Sequence, residues 1–480
     1  MTKANIINEY SDGFFEIKQG IKILHLKGNS YRRGFLHGAL LAKKISTFLP
    51  AVLDATTTVI SENTGCSFSE AKKKIIFGKN LAKKYIPKEF IEEMQGIADG
   101  VACQGVSHDL EDIILLNTMY DQWCFYAHPH HSTLYGYKKN GDESTKTGQH
   151  KINGAGCSSF SAWGDAVYGE NFVFGKNMDN LNLPKLLDNR ILTIVDPCEG
   201  YGHAYVTHPG IIGVDGGFNE EGLCMMTQYN ASVFETMEGC GIGIFTRLIL
   251  SHAKKNDEAI KILSNFPRCT GIAYHVACTE DMSAVVVEAD AKRVCIRYPQ
   301  SGSNVLWTSN HSNCYPGWMG YNGYNMVKDQ AKVYELDDVS CIAKWQESLR
   351  YSENLSVPAP SRFERYKELF EKHYGEISVK IAMDFLTDHY DPYTKKKRPE
   401  HLPSVSNNIM ASICAEYSDD HFAKNDPLRQ FKAHVANLWS MLITPLNGDF
   451  WLAVKKFPAQ YGGYEQLNIK EELRLLSVHK

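Results

Sequence analysis

Apolar residues in the first quarter of the chain recur at three- and four-residue intervals, the period of helices with one buried face. The runs SYRRGFLHGALLAKKISTFLPAVLDATTTVI from Ser30 and EAKKKIIFGKNLAKKYI from Glu70 both carry it. A third run, PKEFIEEMQGIADGVACQG, opens at Pro87 and closes at Gly105, residue types suited to a helix start and a helix end. HDLEDIILLNTMYDQWCFY follows as a fourth. Residues 127–153, AHPHHSTLYGYKKNGDESTKTGQHKIN, then lose all periodicity and read as a functional loop, a linker or disorder.

After Cys157 the period shortens to that of strands, in FSAWGDAV, NFVFGKNM, RILTIVD, HAYVTH and GLCMMTQY, with turn signals YGEN, HPG and NEEG between them. Two helical runs, IGIFTRLILSHA and NDEAIKILSNF, precede further strands at GIAYHVACTE, SAVVVEA, RVCIRY and NVLWTSNH. Residues 325–390 read as helical, and NIMASICAEYS, NLWSMLITPL and DFWLAVKKF as strands. Antiparallel meanders interrupted by helices predict an α+β layered fold rather than an alternating parallel sheet. No internal repeat is visible.

Composition narrows the function classes. The 480 residues carry a net charge of −4 with both signs mixed along the chain, which gives no footprint for nucleic acid. The first twenty residues hold no apolar run of signal-peptide length, and no stretch reaches the roughly 18 apolar residues of a membrane span. The expectation is therefore a soluble, cytoplasmic protein. Thirteen cysteines are scattered singly with no C-x-x-C, so most are expected to be small buried hydrophobes.

One cysteine stands apart. In NGAGCSSFSAWGDA, Cys157 follows Gly154-Ala155-Gly156, a backbone that can bend and be approached closely. Cleavage of the Gly156–Cys157 bond would create an α-amine, of ordinary pKa about 7.7–8.0, beside the thiol as its base. A strand–turn–strand pattern from the cysteine leads to GKNMD, Gly175 to Asp179, and would return Lys176 and Asp179 to its side. A carboxylate there can hold the amine, and a cation can hold the carboxylate or a substrate acid. Farther on, LWTSNHS ends a strand at Asn310, whose amide suits an oxyanion donor.

The segment GCSSFSAWGDAVYGENFVFGKNMD resembles the start of the catalytic chain in the acyl-coenzyme A:6-aminopenicillanic acid acyltransferase (C45) family of self-cleaving N-terminal-nucleophile hydrolases, distant relatives of choloylglycine hydrolases. GNSYRRGFLHG, EEMQGIADG, HPGIIGVDGGFNEEGLCMM, SNH and TPLNGDFWLAVKKFPAQYGGYEQLN extend the likeness over most of the chain. It implies an αββα sandwich of two antiparallel sheets between helix layers. A helical part, residues 1–156, would end in a pro-segment at about 127–156, with residues 157–480 the catalytic part. It implies that Cys157 is a nucleophile released by cleavage after Gly156, that Asp179 orients its amine and that Asn310 serves the oxyanion. Asn219, in the G-x-N-x-x-G-L turn, would lie near the pocket. Lys176 stands where relatives often have arginine, and it lacks the fork that grips a carboxylate bidentately. Relatives also place an arginine in a later helix, for which SRFERYKEL offers Arg362 or Arg365.

The implied activity is acyl transfer or hydrolysis on a small-molecule amide or thioester, without cofactor or metal. No nucleic acid or membrane partner is expected; homo-oligomerisation is open. A papain-like pairing of Cys157 with His203, His208 or His311 is the first rival. Metal binding by His128, His130 and His131 and an inactive scaffold of the same fold are the others. Trp123, Trp163 and Trp307 are candidates for an acyl pocket, although core packing is the better account of them.

Overall fold

The computed structural model describes residues 5–127, 156–169, 172–181, 185–230, 232, 234–310, 312–314, 358–392, 395–397, 412–414, 416–418 and 434–478. His311, the cluster His128, His130 and His131, and nearly all of the expected pro-segment lie outside them.

The strands are mostly buried on both faces, with His203–Thr207, Leu223–Tyr229 and Ile272–Cys278 buried at every position, because each sheet is covered on both sides. The first three are β1 (Asn5–Tyr10), β2 (Gly13–Lys18) and β3 (Ile21–Gly28). Four helices follow: α1 (Ser30–Thr64), α2 (Phe68–Ala82), α3 (Lys88–Ala102) and α4 (Leu110–Ala127). Then come β4 (Gly156–Trp163), β5 (Phe172–Leu181), β6 (Ile191–Pro197), β7 (His203–Thr207), β8 (Gly216–Asn219) and β9 (Leu223–Tyr229). Helices α5 (Ile242–His252) and α6 (Asn256–Asn265) precede β10 (Ile272–Cys278), β11 (Ser283–Ala289), β12 (Val294–Arg297) and β13 (Val305–Thr308). The last part holds α7 (Pro358–His373), α8 (Val379–Leu386), a short hairpin of β14 (Tyr390–Asp391) and β15 (Lys396–Lys397), and β16 (Glu416–Ser418). It closes with β17 (His434–Thr444), β18 (Asp449–Ala453), β19 (Glu465–Asn468) and α9 (Ile469–Val478).

The strands form two large sheets. The first runs β1-β2-β3-β6-β7-β8-β9-β10-β11-β12, and the second β13-β4-β5-β17-β18-β19 with β16 also paired to β17. Their pairings are antiparallel except β3 with β6. One core lies between the sheets, where Phe14, Cys157, Phe174, Ile194, Phe218 and Trp439 meet. A second joins the outer face of the first sheet to α1–α6, and a third joins the outer face of the second sheet to α7 and α8. Helix, sheet, sheet, helix: the layering is the expected αββα sandwich. The expected helical part has a different beginning, however, because residues 5–28 are strands of the larger sheet.

The paired motifs SYRRGFLHG and MQGIADG have a packing explanation. A Cβ on Gly34 or Gly38 of α1 would sit 1.9 Å from the Glu93 carbonyl oxygen or 2.1 Å from that of Ile97. On Gly96 or Gly100 of α3 it would meet the Tyr31 or Phe35 oxygen at 2.1 Å. The two helices therefore touch backbone to backbone, which only glycine permits.

Candidate active site

Strand register builds the site. Antiparallel pairing sets Gly156 opposite Asp179, Cys157 opposite Met178 and Ser159 opposite Lys176. On its other edge β4 pairs with β13, with Thr308 opposite Ser159, so the chain leaves β13 beside Cys157 and delivers Asn310 there. Because side chains alternate, Cys157, Met178 and Lys176 share the face turned toward the first sheet, while Asp179 belongs to the face turned toward α7.

The two faces carry different chemistry. On the α7 side, Arg362 donates to Asp179 Oδ2 at 3.1 Å and to Asn310 Oδ1 at 2.7 Å. Asn437, at an irregularity in the pairing of β17 with β5, donates to Asp179 Oδ1 at 3.0 Å. Asn310 Oδ1 also accepts the main-chain N–H of Cys157 at 2.6 Å, and Asn310 Nδ2 donates to the Tyr229 carbonyl at 2.8 Å. Two donors converge on one amide atom and a carbonyl faces the other, which fixes the orientation of the Asn310 amide. Asp179 and Arg362 are fully enclosed. Burial pushes the Asp179 carboxyl up to about 6, against the pull of Arg362, Asn437 and Lys176.

On the opposite face, Cys157 Sγ lies 3.3 Å from Met178 Sδ. Burial pushes the thiol up to about 11; Lys176 pulls it down, whereas the nearby Asp179 and Asp215 push it up. Lys176 donates to the main-chain oxygens of Asp215, at 3.2 Å, and Thr227, and lies over the Trp439 ring. It is thus a buried cation for the thiol. Met178 and Trp439 also line a cavity of about 110 Å³, whose apolar wall includes Phe48, Leu116, Trp123 and Ile211. Of the three tryptophans, Trp123 lines this cavity; Trp163 packs against Phe172, and Trp307 against Phe363 and Phe370.

Among the sequence candidates, Cys157, Asp179 and Asn310 come together, with Lys176 on the thiol side. The partner of the Asp179 carboxylate is Arg362, not Lys176, since residues three apart on a strand point to opposite faces. Arg365 pairs instead with Asp388 and Glu368. Asn219 serves its own turn: Nδ2 donates to Leu250 O and Ala253 O at the end of α5, and Oδ1 accepts from Leu223 N. It shares no hydrogen bond with the Cys157 cluster among the described residues.

The histidines have other employment. His203 Nδ1 bonds the Tyr201 carbonyl and its Nε2 accepts from Arg247. His208 stacks on Phe48. His275 bonds Ser159 and Ser161, and no described histidine contacts the thiol. The sequence reading missed Asn230, which follows Tyr229. Asn230 is buried, and its Nδ2 has no partner among the described residues.

Comparison with known proteins agrees with the motifs. Residues 167–421 match the profile of the acyl-coenzyme A:6-aminopenicillanic acid acyl-transferase family. An uncharacterized protein of Archaeoglobus fulgidus is 24% identical over 425 residues, covering 84% of this chain and 65% of that protein. The chain thus spans just under two thirds of that curated relative. Similar solved structures include penicillin V acylase from Agrobacterium tumefaciens, 10% identical with a TM-score of 0.36, covering 66% of this chain and 88% of that one. A mutant conjugated bile acid hydrolase from Clostridium perfringens is 12% identical with a TM-score of 0.39, covering 66% and 93%.

Proposed function

Because this chain belongs to the acyl-coenzyme A:6-aminopenicillanic acid acyl-transferase family, we propose that it is an N-terminal-nucleophile amide hydrolase or acyltransferase that activates itself by cutting the Gly156–Cys157 bond. In the first step Cys157 Sγ loses its proton and attacks the Gly156 carbonyl carbon. The C–N bond breaks, the proton passes to the Cys157 nitrogen, and Gly156 is left as a thioester on Sγ. Water hydrolyses that thioester, yielding a Gly156 carboxylate, a free thiol and a free α-amine. Cleavage divides the chain into residues 1–156 and 157–480.

In the second step the α-amine takes the thiol proton and Sγ attacks an amide or thioester carbonyl. The leaving group takes the proton, and the acyl group passes from Cys157 to water or to an amine. Asn310 Oδ1 and Asp179 hold the new amine in place, and Arg362 fixes both. Asn310 Nδ2, now on the Tyr229 carbonyl, and the unpaired Asn230 Nδ2 are the donors for the oxyanion. The apolar cavity beside Met178 supports an apolar acyl group.

The observation that carries this reading is the cluster around a main-chain nitrogen. Asn310, tied through Arg362 to Asp179, holds the N–H of Cys157, not its sulfur. A papain-like enzyme has no use for that arrangement and requires an imidazole at the thiol. Intact-mass analysis tests the reading: the native sequence should give two chains meeting at 156/157, and Cys157→Ala a single chain of full mass. Cleavage persisting in Cys157→Ala contradicts it.

A further inference from the structure

We propose that Glu16, His25 and Glu472 form a binding site for a divalent first-row transition cation of the zinc class. The site lies away from the Cys157 cluster, where α9 closes over the β2–β3 hairpin. Phe14 stands opposite His25 in the strand pairing and stacks on its ring, with centroids 4.1 Å apart and planes 16° apart. The stacking sets the direction of Nε2, which lies 3.1 Å from Glu16 Oε1 and 3.6 Å from Glu472 Oε2. The three donor atoms lie within 4.8 Å of one another, and all three residues are buried.

Hydrogen bonding leaves this group incomplete. One imidazole proton serves one carboxylate, and Glu16 is at bonding distance. Glu472 Oε1 takes Lys18 at 2.6 Å, but its Oε2 accepts no hydrogen bond among the described residues. A buried carboxylate oxygen without a partner is costly. A cation bound at about 2.0–2.1 Å to each atom would hold tetrahedral ligands roughly 3.4 Å apart, between the two separations present. It would also satisfy all three atoms at once. Two buried carboxylates meet here, and among the described residues Lys18 is the one ammonium bonded to them. One imidazole and two carboxylates make a nitrogen–oxygen set suited to zinc, cobalt or manganese rather than to thiophilic metals. Bound metal would tie the hairpin to the C-terminal helix. This departs from the expectation of no metal, which weighed only His128, His130 and His131.

The experiment uses the full chain, stripped with chelator and titrated with Zn²⁺ or Co²⁺. One equivalent should bind, with X-ray absorption giving nitrogen or oxygen neighbours at about 2.0–2.1 Å and no sulfur at about 2.3 Å. Glu472→Gln keeps the side chain's shape, and it and His25→Gln should each lower affinity at least tenfold. Replacing His128, His130 and His131 together should leave affinity unchanged. Failure of the native chain to bind, a sulfur shell, or undiminished binding in a folded Glu472→Gln protein overturns the proposal.

Discussion

Replacing Arg362 by methionine removes the cation that holds Asp179 and Asn310 together, and the structure sets the size of the effect. Arg362 is enclosed, with one bond to the carboxylate and one to the amide. Breaking one side of a buried ion pair ordinarily costs about 3–5 kcal/mol. Here the carboxyl can escape by taking a proton. It titrates at about 6, so protonating it at pH 7.5 costs about 2 kcal/mol, at about 1.4 kcal/mol per pH unit. Lost hydrogen bonds to charged groups add about 2 kcal/mol. The expected destabilisation is therefore about 4 kcal/mol at pH 7.5 but about 2 kcal/mol at pH 5, where Asp179 already carries its proton. The direction follows from linkage. A carboxyl whose folded pKa lies above its unfolded one holds its proton more tightly when folded, so its contribution is complete below about pH 4 and is lost as the pH rises through 6. Equilibrium urea unfolding at both pH values, in a Cys157→Ala background that keeps one chain, measures the difference. An equal cost at both pH values, or a larger one at pH 5, would refute the reasoning.

Gly38→Ala should lower stability by about 3 kcal/mol, the upper range for overpacking, because its Cβ would strike the Ile97 carbonyl; urea unfolding reads this, and a loss under about 1 kcal/mol contradicts the close helix contact. Lys176→Met removes the cation that pulls the thiol down, so the pH–rate profile of self-cleavage should move to higher pH, while Lys176→Arg moves it less; an unmoved profile denies Lys176 that role. In protein already cleaved, Asn230→Ala and Asn310→Ala should each lower kcat by about 10²–10³ with little change in KM, and a near-normal kcat in either would remove that residue from the oxyanion site.

Much of the fold was legible because the strands after Cys157 are short apolar runs bounded by turn signals and the α1, α3 and α4 segments hold their helical period. The first three strands were not legible. Glu16 and His25 occupy inward positions where an apolar residue would mark the period, and β1 is a polar edge strand. The α9 helix was hidden for a similar reason, with buried Glu472 among its apolar contacts. At the site, the proximity of Lys176 and Asp179 in sequence suggested a pair, although strand parity already separates them. The choice between Arg362 and Arg365 was beyond the sequence, since both lie on one helix and only its seat against β4 and β13 decides. Asn230 left no local signal, because only its burial and an Nδ2 without a partner among the described residues set it apart.

The central claim is that Cys157 becomes a chain terminus and then carries the acyl group. Mass analysis of the mature protein, quenched in acid during turnover of an activated apolar acyl ester, tests both parts in one spectrum. The account predicts a peptide beginning at Cys157 whose mass is raised by one acyl group, released by hydroxylamine and absent before substrate is added. An acyl group on any other residue, or on Cys157 still joined to Gly156, would contradict it.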